Sequence, residues 1–71
     1  MDASTWTEHF AKVLGVEAPT EEEIAALLSL ASVAAHASER PAAPIACWLA
    51  AKAGRAPSEA LSLARAMVPE E

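Results

Sequence analysis

Apolar residues recur along this chain every three or four positions, in four blocks separated by proline, glycine or short polar runs. That spacing is the mark of helices that each bury one face, and no block shows the strict alternation of a half-buried strand. The first block predicts a helix over Thr5–Leu14, with Trp6, Phe10, Val13 and Leu14 on one face, an exposed Glu8 and Lys12 pair, and Gly15 as its stop. Thr5 followed three residues later by Glu8 has the form of a capping box, in which each side chain satisfies a backbone donor at the helix start. Val16–Pro19 is a short connector. Thr20 with Glu23 then repeats the box, and Glu21, Glu22 and Glu23 fall where the helix dipole favours negative charge.

The second block predicts a helix over Glu21–Ser38 that is apolar on most of its circumference. Ile24, Leu27, Leu28, Ala31 and Ala35 form one stripe, and Leu30, Val33 and Ala37 another. Such a helix must be surrounded, by the other helices or by a second copy of the chain. At about 100° per residue the one polar stripe left is Ser29, Ser32 and His36, pointing on towards Arg40. Pro41 biases Arg40 out of helical geometry, which ends the helix. Pro44 suits the first turn of a third helix, Pro44–Ala53, whose Ile45, Trp48 and Leu49 are expected inward and whose stop is Gly54. Arg55–Ser58 turns into a fourth helix, Pro57–Val68, with Leu61, Ala64, Met67 and Val68 as its inner stripe and Pro69 as its stop. The expected fold is all-α: a small four-helix bundle with short connectors, forming a single helical domain over residues 1–71.

Composition sharpens this picture in one respect. Hydrophobic residues are 54% of the chain, but half of them are alanine, which favours helix strongly and buries little area per residue. The large core candidates are Trp6, Phe10, Val13, Leu14, Ile24, Leu27, Leu28, Leu30, Val33, Ile45, Trp48, Leu49, Leu61, Met67 and Val68. A chain of 71 residues lies near the lower size at which one apolar core suffices, so self-association as a homo-oligomer, or docking on a larger protein, is expected. The net charge of -5 argues against nucleic acid or anionic membrane as a partner. No apolar stretch reaches transmembrane length, the start does not resemble a signal peptide, and the single cysteine cannot form an internal disulfide. A cytoplasmic location is the expectation.

Little in the chain points to catalysis, and a non-enzymatic role is expected. Cys47 sits beside Trp48 in an apolar helix, where cysteine behaves as a small core residue. His9 and His36 have no Cys or carboxylate at metal-ligand spacing, so no metal site is expected, and Gly15 and Gly54 are isolated rather than part of a phosphate loop. No particular cofactor is implied. The one polar constellation is His36, Arg40 and the start of the third helix. Free backbone N–H groups at Ala46 and Cys47, with a guanidinium and an imidazole nearby, would describe a site for a small anion or cofactor. The plainer reading of Arg40 is that it caps the second helix or pairs with Glu39.

The same stretch carries a resemblance. His36, then Glu39-Arg40-Pro41-Ala42-Ala43-Pro44, then Trp48-Leu49 and Gly54, together with Trp6, Leu14-Gly15 and Leu30-Ala31, resembles a small actinobacterial domain of unknown function. That domain is found alone or attached to molybdopterin guanylyltransferase-like proteins. Ser29 and Ser32 stand where its members often carry charge. The resemblance implies an accessory role near molybdenum-cofactor assembly or molybdoenzymes such as formate dehydrogenase. Two classes of function follow: an accessory module for protein–protein interaction, and a small-anion-binding protein using His36 and Arg40.

Overall fold

A computed structural model of the chain describes residues 1–68. Its elements are α1 (Ala3–Leu14), α2 (Glu21–Ala37), α3 (Ala42–Lys52) and α4 (Pro57–Met67), with no strand among the described residues. This is the small all-helical bundle that the pattern predicts. The expected stop at Pro69 lies outside the described residues.

Local chemistry sets the helix ends. At Thr20 the reciprocal box is complete: the Glu23 amide donates to Thr20 Oγ1 at 3.1 Å and the Thr20 amide donates to Glu23 Oε1 at 2.8 Å. Gly15 and Gly54 both take a positive φ, 77° and 71°, and both close their helices with the paired bonds of a Schellman motif. In the first, the amides of Gly15 and Val16 donate to Lys12 and Ala11 carbonyls; in the second, those of Gly54 and Arg55 donate to Ala51 and Ala50. The fourth helix starts with Pro57, and Glu59 reaches back to the Ala56 amide at 3.4 Å while pairing with Arg55 at 3.0 Å.

Two helix starts differ from expectation. The first helix begins at Ala3, not Thr5, because Asp2 is the better-placed cap: its Oδ1 accepts from the Thr5 amide at 2.8 Å. Thr5 and Glu8 therefore lie inside the helix and form no capping box. The third helix begins at Ala42, two residues before Pro44. Pro41 itself takes right-handed helical angles, and the Ala42 and Ala43 amides donate to the carbonyls of Glu39 and Arg40 at 2.9 and 3.0 Å.

Packing among the helices is uneven. The long central α2 packs against both α3 and α4, as its apolar circumference requires, whereas α3 and α4 barely meet. Helix α1 packs against none of the others. Among the described residues the fully buried ones are few: Leu30 at 3% exposure, with Ala60 of α4, and Ala11 at 5%. Ala11 lies beside the connector: the Val16 amide donates to its carbonyl, and Val16, Glu17 and Ala18 line a small hollow with it. Ile24, Leu27, Val33 and Leu61 are half-buried.

The remaining expected core residues are on the surface. Trp6, Phe10, Val13 and Leu14 share one face of α1 as predicted, but that face meets no other helix. Leu28 is 67% exposed on α2, and Met67 and Val68 are exposed at the end of α4. On α3, Ile45, Trp48 and Leu49 are each more than half exposed. The half-buried stripe of that helix is Ala42, Ala43, Ala46, Cys47 and Ala50, at three-to-four spacing. Small side chains there leave the larger ones outside.

The surface reflects this arrangement. The accessible area is 5694 Å², against roughly 4,200 Å² for a compact monomer of this mass. The radius of gyration is 12.8 Å, against roughly 11 Å for a compact chain of this length.

Candidate docking surface

Because α3 and α4 flank α2 without closing on each other, a groove of about 700 Å³ runs between them. Its base is the C-terminal half of α2, with Leu30 and Val33; Ile45 and Leu49 come from α3, and Leu63 and Met67 from α4. Alanines fill most of the rest. The polar side chains at its margin are Ser38 and Arg55, and Arg55 is already paired with Glu59. Small-molecule sites combine an apolar pocket with a few convergent polar groups that orient the ligand. This groove lacks the second part, so its chemistry suits an apolar helix face better than a polar ligand.

A second apolar surface lies on α1. Trp6 and Phe10 stand one turn apart with ring centroids 5.1 Å apart and planes tilted by 30°, and Val13 and Leu14 continue the stripe. Val13 is 81% exposed. A third apolar feature is Trp48, 60% exposed, whose ring is covered on one side by the Lys52 ammonium.

The polar constellation suggested by the sequence is arranged differently. His36 turns back on its own helix: Nδ1 lies 2.7 Å from the Ser32 carbonyl oxygen and 3.2 Å from Ser32 Oγ. A carbonyl can only accept, so Nδ1 carries the proton. Arg40 is exposed in the turn before α3, and no side-chain hydrogen bond or ion pair is formed by it among the described residues. The expected free amides at Ala46 and Cys47 are not at the helix start. With the helix beginning at Ala42, these residues occupy its second turn, where amides belong to the internal ladder. The true start offers no donors in their place, because Pro41 and Pro44 have no N–H and the Ala42 and Ala43 amides are used by Glu39 and Arg40 carbonyls. Cys47 is half-buried, with Sγ 4.0 Å from the Leu27 carbonyl oxygen. No group of three or more His, Cys, Asp or Glu side chains is close enough to hold a metal ion among the described residues.

These features define a small all-helical domain whose large apolar side chains lie mainly outside its core. The chain belongs to the family described as Domain of unknown function (DUF6457), whose profile matches residues 1–70. No curated protein and no solved structure matches it. No helix among the described residues is long and apolar enough to cross a membrane.

Proposed function

We propose that this chain is a non-catalytic interaction module, working in the cytoplasm as an accessory to a larger protein in or near molybdenum-cofactor assembly or a molybdoenzyme. The observation that carries the interaction role is the run of exposed large apolar side chains, among them Trp6, Phe10, Trp48 and Leu49, on so small a chain. Single exposed apolar residues are ordinary, but contiguous apolar faces on a monomer mark contact surfaces. The molybdenum context is supported by the resemblance carried by His36, Glu39–Pro44, Trp48–Leu49 and Gly54. Native mass spectrometry of the protein isolated gently from its source tests the proposal. The expected spectrum contains this chain bound to a larger protein of that cofactor chemistry. A spectrum holding only this chain, singly or with copies of itself, contradicts it.

A further inference from the structure

We propose that the α1 helix of one chain lies in the α2–α3–α4 groove of a second copy, and that the exchange is reciprocal, giving a symmetric dimer. The inference deepens the interaction role and assigns two of its surfaces to self-association. The Trp48 face of α3, which does not line the groove, stays open for a different partner.

Four observations converge on a second copy as the occupant. First, the chain carries both halves of the contact: among the described residues, a helix with one apolar stripe packs on no other helix, and an apolar groove is covered by none of them. Second, their lengths agree. The 12 residues of α1 span about 18 Å at the helical rise, and the 11 residues of α3 that wall the groove span about 16 Å. Third, a helix of this length is marginal in water without tertiary packing, so a cap at each end does not suffice to hold α1. Fourth, the area is of the right size. The accessible surface of 5694 Å² exceeds that of a compact chain by roughly 1,500 Å². Burying that excess on both chains sets an upper limit of roughly 3,000 Å² on the contact, and obligate homodimers begin near roughly 2,000 Å².

Closure of α1 onto its own groove is opposed by the connector. Gly15 and Val16 are held by the Schellman bonds at one end, and Thr20 by its capping box at the other. Only Glu17, Ala18 and Pro19 lie between, and Pro19 restricts Ala18 to extended geometry. In that setting the α1 stripe meets no other helix of its own chain, and a reorientation that keeps both caps has only these three residues to absorb it. A two-fold contact of this kind is self-complementary, since each chain gives one helix and receives one.

Complementation between two variants of the full chain tests the proposal. Phe10→Glu spoils the helix stripe and leaves the groove intact; Leu49→Glu spoils the groove wall and leaves α1 intact. Sedimentation velocity at micromolar concentrations should show the natural chain as a dimer and each variant alone as a monomer. An equimolar mixture should contain a heterodimer, held by the one undamaged helix-in-groove contact. Circular dichroism of each variant establishes that α2–α4 remain folded, and Leu49→Ala replaces Leu49→Glu if they do not, with a weakened dimer expected. A natural chain that stays monomeric overturns the inference, whether its groove is then covered by its own α1 or by another molecule. So does a dimer that survives both substitutions, or a mixture that contains no heterodimer. A monomer that still binds a larger protein would refute the dimer and leave the accessory role standing.

Discussion

The Lys52 ammonium sits 4.8 Å from the centroid of the Trp48 ring, one turn away on the outer side of α3. The contact is a cation–π pair on a tryptophan that is 60% exposed, so the largest side chain of the third helix is displayed rather than buried. Trp48→Ala is therefore expected to cost the isolated chain about 1 kcal/mol or less, the value of an exposed cation–π contact and some partial burial. Urea unfolding checks this. A loss of about 3 kcal/mol or more is the cost of emptying a buried aromatic site, and would place Trp48 in the core.

Leu30 is the opposite case. Among the described residues it is the one large side chain buried below a tenth of its surface, at the base of the groove between α3 and α4, and Leu30→Ala should cost about 2–5 kcal/mol through lost transfer energy and a cavity. For so small a domain that loss approaches the whole stability. Leu28→Ala, two residues away but facing solvent, should stay within about 0.5 kcal/mol. Thermal melts of the two variants side by side decide whether α2 is oriented as described.

Helix ends were legible in the sequence where the cap is made by neighbours. Thr20 and Glu23, Gly15 and Gly54 declare themselves because the residues that satisfy one another lie within a few positions. The Thr5–Glu8 pair misled because Asp2, three residues earlier than Thr5, offers an equally good oxygen and lengthens the helix. Which face turns inward was much less legible. α3 is apolar almost all round, so its periodicity cannot distinguish the Ile45–Trp48–Leu49 side from the Ala42–Ala46–Ala50 side. Contact with α2 selected the smaller one. The candidate anion site depended on the start of α3, and a shift of two residues places the Ala46 and Cys47 amides inside the helix.

Gly54 supplies a test of the Schellman turn that joins α3 to α4. Its φ is 71°, and apart from its chain neighbours no atom of the described residues stands within 4 Å of where a Cβ would be, so a substitution there meets backbone strain and no clash. Gly54→Ala should destabilise by about 1–2 kcal/mol, the penalty of a left-handed conformation for a residue with a Cβ. Gly54→Asn should lose less, since asparagine tolerates that region. Equal losses for the two in denaturant unfolding would show that the turn is not what they perturb.

The Asp2 cap makes the start of α1 sensitive to acid. The Thr5 amide, and after it the Thr5 side chain, donates to the Asp2 carboxylate and holds its pKa below the ordinary value of 3.8. A carboxyl group lowered in the folded state stabilises fully above its ordinary value and loses that contribution as pH falls through the folded one. Helicity should therefore fall over that acid range more steeply in the natural chain than in Asp2→Asn, which caps without titrating. Circular dichroism from neutral pH downward reads the difference, in which the other carboxylates cancel. Coincident curves would show that Asp2 does not cap α1.

If the apolar stripe of α1 is seated in a second copy of the chain, its backbone amides are shielded there. Amide hydrogen exchange over Trp6–Leu14, followed at rising protein concentration, reads that shielding. An undocked helix of this length opens readily, whereas one seated in a partner's groove is protected in proportion to the fraction docked. The prediction is that protection of these amides rises with concentration, while that of α2 around Leu30 is already high in the most dilute sample. Protection of α1 that is equal at every concentration, or absent at all of them, contradicts that seating.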